Sequence, residues 1–197
     1  MYKITKKQNL SKGIDRYYIE APLVAKKAKA GQFVIIRINE EGERIPLTIT
    51  GCDRKDGTIS LVSMGAGKTT TVLSELKEGD SILDVAGPLG NPTEIENFGK
   101  VICVGGGVGI APILPIAEEL KKAGSYTISI IGAKSKDMLI LKDEVKSVSD
   151  ELHVCTDDGS EGFHGFVSGL LDQYIKENIL KGAPKDSRNN ITNIARV

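Results

Sequence analysis

The stretch Val101-Ile102-Cys103-Val104-Gly105-Gly106-Gly107-Val108-Gly109-Ile110-Ala111-Pro112 constrains this chain more than any other. An apolar β-type run enters a turn with four glycines among five positions. Ile113, Ile116, Ala117 and Leu120 follow at helical spacing. A strand that ends in glycines at a helix start gathers backbone N–H groups and the positive end of a helix dipole at one point, which suits a phosphate or pyrophosphate. Glycine lets the backbone approach an anion and take φ > 0, and Pro112 fits a first helical turn, where no N–H is needed. The pattern is not G-x-G-x-x-G, because Ile110 or Pro112 falls where the last glycine would stand. A tight strand–helix turn without a ligand is the competing reading. The density of glycine favours a nucleotide site built on Gly105, Gly106, Gly107, Val108, Gly109, Ala111 and Pro112.

The 197 residues allow one large domain or two small ones. Lys+Arg and Asp+Glu balance at 26 each, so charge points neither to nucleic acid nor to an anionic membrane. Without a bilayer-length apolar run or a signal peptide, the expectation is a cytoplasmic protein. Cys52, Cys103 and Cys155 are scattered and suggest neither a disulfide frame nor a metal site. Cys103 reads as a small core residue. His153 and His164 lack ligand partners at i+4, so no metal centre is expected; the first is placed on a strand and the second in a loop.

Residues 1–97 carry short β-type runs at 2–5, 16–20, 32–38, 46–50, 58–62 and 81–85, divided by Gly-containing breakers. Their spacing predicts a six-stranded antiparallel barrel, with a short helix over 71–76. Two places look chemical. In Arg44-Ile45-Pro46-Leu47-Thr48 a guanidinium could pair with phosphate and a hydroxyl could meet a heteroaromatic edge; an exposed strand-start arginine is the plainer alternative. Gly65-Ala66-Gly67-Lys68-Thr69-Thr70 resembles a triphosphatase loop, but Val62 stands where its first glycine belongs, so that reading is rejected. The loop could still cradle a diphosphate, or be an ordinary Gly-rich connection.

Residues 98–181 alternate between the two periodicities: helix to about 123, strand 126–131, helix 137–148, strand 151–155, helix 168–178. Such alternation predicts a parallel sheet covered by helices, with ligands at the carboxyl ends of its strands. There lie the 105–112 turn, Gly132-Ala133-Lys134 and Thr156-Asp157-Asp158-Gly159-Ser160, and their convergence outweighs any one of them. Residues 182–197 are polar, Asn-rich and aperiodic; they are expected to form a disordered tail and leave the sheet incomplete.

A barrel followed by a nucleotide domain is the layout of the ferredoxin–NADP reductase superfamily, and the motifs resemble that family's. Arg44–Thr48 is similar to its flavin motif, Gly67-Lys68-Thr69-Thr70 to its FAD diphosphate loop, and Gly87-Pro88-Leu89-Gly90 to the segment closing the barrel domain. Gly105–Pro112 and Thr156–Ser160 resemble its nicotinamide dinucleotide motifs. Within the superfamily the resemblance is to small FAD subunits of NADH-dependent ferredoxin:NADP oxidoreductases (also known as sulfide dehydrogenases) and to electron-transfer subunits of dihydroorotate dehydrogenases. It covers residues 1 to about 181.

The resemblance implies that Arg44 meets the FAD phosphates and that Pro46, Leu47 and Thr48 line the isoalloxazine, with Thr48 at N5 as the catalytic position. Val62, Ser63 and Met64 would run beside the ribityl and adenosine portion, and Gly67, Lys68, Thr69 and Thr70 would hold the diphosphate. Arg44 and Thr48 are one residue further apart than in the family's R-x-x-[ST]. The nicotinamide dinucleotide would engage the glycine turn, Gly132, Ala133, Thr156, Asp157, Asp158, Gly159 and Ser160. NADP-using relatives tend to place Ser-Arg where this chain has Thr156-Asp157; carboxylates repel a 2′-phosphate and accept ribose hydroxyls, so NAD(H) is expected.

The implied function is hydride transfer between NAD(H) and FAD in an oxidoreductase subunit. In intact relatives electrons continue through a [2Fe–2S] centre to a larger partner subunit. No cysteine follows Cys155, so a four-thiolate cluster cannot be made, and a truncated copy is the expectation. The alternative function is a catalytically defective nucleotide-binding fragment.

Overall fold

The computed structural model describes residues 1–178 and 194–196. Its backbone divides into two compact units, Met1–Glu94 and Ile95–Val197. In the first, the strands are β1 (Tyr2–Ser11), β2 (Ile14–Glu20), β3 (Phe33–Arg37), β4 (Ile45–Asp53), β5 (Thr58–Met64), β6 (Ser81–Ile82) and β7 (Asp84–Leu89). They form one antiparallel sheet in the order β6-β1-β2-β5-β4-β3-β7. Seven strands stand where six were expected, because the run at 81–85 breaks at Leu83. The Leu83 N–H leaves the ladder and donates to the Ile38 carbonyl at 3.1 Å. β6 pairs with β1 at one end of the sheet and β7 with β3 at the other. A single residue therefore carries the chain between the sheet's two ends, so the sheet has to curl back on itself as a barrel.

Pleating sets which side chains fill the barrel. Tyr17 opposes Leu61 and Ile19 opposes Ile59, and all four are at most 1 % exposed. With Ile4, Val34, Ile36 and Ile82 they build one core, each such side chain contributing about 1.5–3 kcal/mol on burial. Helix α1 (Pro22–Lys27), absent from the sequence expectations, starts at a proline and is too short for periodicity to reveal. Helix α2 (Lys68–Glu75) begins three residues before the expected 71–76 and sinks Leu73 into the core.

The second unit has β8 (Lys100–Gly106), α3 (Ile110–Lys122), β9 (Tyr126–Ala133), α4 (Lys142–Ser147), β10 (Glu151–Thr156), β11 (Phe163–His164), α5 (Val167–Asn178) and β12 (Ile194–Arg196). The sheet is parallel, in the order β11-β10-β9-β8-β12. Ile102, Ile128 and Ile130 share a face on which Leu170 and Tyr174 of α5 pack.

Two expectations change here. The helix expected over 137–148 is a 3₁₀ turn at Lys136–Met138 followed by the short α4. Leu141 interrupts it with φ 56°, a left-handed conformation that stops helix propagation from the N-terminal side. His164 belongs to β11, where Thr156 is its register partner, rather than to a loop. Of the tail expected to be disordered, residues 182–193 and 197 lie outside the described residues. The backbone of 194–196 pairs in parallel with Ile102–Val104 of β8.

Candidate functional site

In the first unit the loop between β5 and α2 is built by Thr70. Its hydroxyl oxygen accepts the N–H groups of Ala66 (3.1 Å) and Gly67 (2.9 Å), and the hydroxyl donates to the Gly67 carbonyl at 3.0 Å. Thr70 thus caps the helix and is committed to shaping the loop. The backbone amides of Lys68 and Thr69 open the helix, where no intrahelical acceptor exists, beside the positive end of its dipole. An anion fits that end. Lys68 and Thr69 also line, with Ile38, Asn39, Glu41, Glu43 and Val72, a cavity of about 110 Å³.

Arg44 stands elsewhere. Its guanidinium lies 3.4 Å from Asp84, whose carboxylate is also held by Arg37 at 2.9 Å. These three line a separate cavity of about 230 Å³ with Tyr2, Ile35 and Ala86. Neither cavity's lining includes a residue of the other. Lys68 and Thr69 thus share one lining with residues of the β3–β4 loop, and Arg44, the last residue of that loop, is paired with Asp84 in the lining of the other.

Pleating divides the remaining flavin-motif residues. Leu47 packs against the barrel core, while Pro46 and Thr48 point the other way from the same strand. Thr48 opposes Phe33 in register, and its hydroxyl makes no hydrogen bond among the described residues. Phe33 was not foreseen. Its ring lies against Gly90 (φ 78°), where an added Cβ would be 2.9 Å away, so the segment ending at Gly90 packs on the register partner of Thr48. On β5, Val62 and Met64 share one face and Ser63 the other, opposite Asp15. Ser63 is 5 % exposed, and its hydroxyl has no partner.

In the second unit the expected segments converge at the carboxyl ends of β8, β9 and β10. Gly106 opposes Gly132, and Ala133 opposes Thr156. The glycines divide by what surrounds them. A Cβ at Gly105 would stand 2.7 Å from the Gly109 carbonyl oxygen, and one at Gly132 would stand 2.5 Å from Cys155 Sγ, so these two permit close packing. Gly107 (φ 56°) and Gly109 face open space, with nothing within 4 Å of a Cβ position. There the backbone is bare at the start of α3, which Ile110 begins, with Ala111 and Pro112 in its first turn. Val108 lies between them in the 3₁₀ turn. The arrangement fits a phosphate-bearing ligand approaching the helix end.

Beyond β10 the chain forms a self-supporting loop. The Thr156 hydroxyl donates to the Glu161 carbonyl and accepts the Glu161 N–H, both at 2.9 Å, so this fully buried residue closes the loop from within. Asp158 accepts the Ser160 hydroxyl (2.6 Å) and N–H (2.9 Å), bonds that hold its carboxyl below the usual range. Ser160 in turn accepts the Lys136 N–H at 2.8 Å. Gly159 (φ 72°) lies against the His164 ring. Lys142 and Glu161 form an ion pair beneath. Asp157 is exposed, and its side chain makes no such bond among the described residues, so its carboxylate is uncommitted. Glu161, Lys136 and His164 were not foreseen, because only the fold returns them to this loop.

Burial lifts Cys103 to about 11, and Cys155 is equally enclosed, so neither is poised to bind metal. With three cysteines in all, the chain's own thiols do not fit a four-thiolate iron–sulfur cluster. No helix among the described residues is long and apolar enough to cross a membrane.

Against known proteins, residues 1–93 match the family of the oxidoreductase FAD-binding domain. The chain is 50 % identical over 175 residues to a Thermotoga maritima homolog of the electron-transfer subunit of dihydroorotate dehydrogenase B (NAD(+)), covering 89 % of this chain and 62 % of that protein. To the corresponding electron-transfer subunit of Fusobacterium nucleatum it is 34 % identical, covering 89 % and 70 %. A solved structure of an NADH-dependent reduced ferredoxin–NADP oxidoreductase, studied for flavin-based electron bifurcation, superposes with a TM-score of 0.85. The identity there is 48 %, over 90 % of this chain and 64 % of that one. The chain thus spans less than two thirds of the Thermotoga relative.

Proposed function

Because this chain belongs to the family of FAD-binding, ferredoxin reductase-like electron-transfer subunits, we propose that it binds FAD on its barrel and NAD(H) on its parallel sheet and mediates hydride transfer between them. The observation that supports this most is the bare backbone at Gly107 and Gly109 at the head of α3, a cradle that side chains would fill.

On this reading the N-terminal amides of α2 receive the FAD diphosphate, and Lys68 adds a positive charge beside it. Pro46 and Thr48 present one face of β4 to the isoalloxazine, Thr48 offering an uncommitted hydroxyl to N5. The α3 turn receives the dinucleotide's pyrophosphate. Asp157 takes the adenosine ribose, and Asp158 with Ser160 holds the loop that carries Asp157. When bound, the flavin supplies the hydride chemistry; the protein orients the partners and excludes water. A larger partner subunit and a cytoplasmic setting belong to the same proposal.

The test is the visible spectrum of the purified chain reconstituted with FAD, before and after anaerobic NADH. Flavin bands that bleach on NADH addition are expected. Bands that persist would leave a flavin protein without a working nicotinamide site. A chain that cannot take up FAD would overturn the proposal.

A further inference from the structure

The N-terminal turn of α2 is the cradle assigned to the flavin diphosphate, and the other end of this helix is held by a residue 67 positions away in sequence, Lys7 of β1. The Lys7 ammonium donates to the carbonyl oxygens of Ser74 at 2.5 Å and Leu76 at 3.0 Å. Carbonyls at a helix C-terminus lack intrahelical partners and carry the negative end of the dipole, so a cation there is doubly favoured. The ammonium also lies 3.3 Å from Asp15 Oδ2 and 5.4 Å from the centre of the Tyr17 ring. Asp15 in turn accepts the Asn9 amide at 2.9 Å and the Tyr17 hydroxyl at 3.4 Å. Three ammonium protons thus meet three acceptors, leaving Lys7 none for a ligand.

An eight-residue helix is about 12 Å long and would not persist alone. Leu73, with Val72 and the C-cap Leu76, packs the C-terminal half of the helix on the core, Thr70 ties its head to the loop, and Lys7 fixes its last carbonyls to the β1–β2 hairpin. Apolar packing fixes how deep the helix sits but not its direction; without the Lys7 bonds its axis can tilt on those contacts, and its first-turn amides shift with it. We propose that Lys7 is a positioning residue for the flavin diphosphate: by capping the C-terminus of α2 it sets where the amides of Lys68 and Thr69 stand. This rests on the reading that the head of α2 receives that diphosphate.

The experiment compares the full chain with Lys7→Met and Lys7→Arg. FAD affinity is measured by fluorescence quenching, and FAD-saturated protein is examined by phosphorus NMR and visible absorption. Lys7→Met is expected to weaken FAD about tenfold, the scale of losing charged hydrogen bonds. Its two phosphorus resonances should move from their wild-type positions while the visible band of the isoalloxazine stays. Lys7→Arg, which can donate to the same carbonyls, should restore both. Phosphorus resonances unchanged at saturation, or moving together with the visible band, would overturn the positioning role. A helix held only for stability would leave both spectra alone once FAD is saturating. If Lys7→Met does not fold, Asp15→Asn, which removes the carboxylate anchoring the ammonium, must show the same phosphorus-only displacement. A wild-type chain that binds no FAD would instead overturn the flavin reading itself.

Discussion

A Cβ built at Gly105 would stand 2.7 Å from the Gly109 carbonyl oxygen and 3.0 Å from Ile110 Cα, whereas one at Gly109 meets nothing within 4 Å. Backbone cannot move aside as a flexible side chain can, so Gly105→Ala should destabilise the protein by about 1–3 kcal/mol in urea unfolding. Gly109 has φ −65°, which alanine adopts without strain. Gly109→Ala should therefore keep wild-type stability while raising the KM for NADH severalfold, because the methyl occupies the cradle. If it loses stability and spares NADH, the turn is a packing device only. In sequence these two glycines look alike, and the cluster was legible as a unit because glycine density is a local signal. What each glycine does was not, since that depends on neighbours the fold supplies. The same holds for hydroxyls. Thr70 and Thr156 are read from motifs as ligand contacts, yet both spend their hydrogen bonds shaping the loops that carry them.

At the scale of elements, α5 is fastened to the sheet near the starts of its strands by Glu151. This carboxylate accepts the hydroxyls of Tyr126 from β9 and Tyr174 from α5, each at 3.1 Å, and lies 3.1 Å from His153 Nε2. Its acidity is strengthened first by the His153 hydrogen bond; burial opposes this as the next largest effect, and the bonds from the two tyrosines add to the lowering. A carboxyl whose folded value lies below its ordinary one stabilises the fold fully above that ordinary range, and the contribution fades as pH falls through the folded value. Glu151→Gln should therefore lower Tm at neutral pH, with the gap from wild type closing below about pH 4. A gap independent of pH would mean the residue acts by packing alone. The sheet and its long helices were legible because periodicity persists over many residues. The failures are short or tertiary. Leu83 breaks a strand with a single residue, α1 and α4 are six residues each, and Leu141 takes a left-handed conformation that leucine does not advertise.

For the molecule as a whole, 26 basic and 26 acidic residues leave no net charge with which to attract or repel a dinucleotide from a distance. On the proposed function, discrimination between NADH and NADPH would then arise where the extra phosphate would sit. The end of β10 offers Asp157 exposed and Asp158 held as a carboxylate by Ser160; of the lysines around that loop, Lys142 is paired with Glu161, while Lys134 and Lys136 bond to the loop through their backbone. A 2′-phosphate placed there meets like charge, whereas a 2′-hydroxyl meets an acceptor. Exposed charges are screened over about 10 Å at 0.1 M salt and about 3 Å at 1 M. Raising ionic strength should therefore lower the KM for NADPH while leaving that for NADH nearly unchanged. Asp157→Asn should narrow the preference at low salt and make it insensitive to added salt. Steady-state reduction of ferricyanide with each coenzyme measures both, because it needs no partner subunit. If any preference for NADH proves untouched by salt and by Asp157→Asn, the discrimination does not lie at this carboxylate, and the shape of the loop closed by Thr156 would have to carry it.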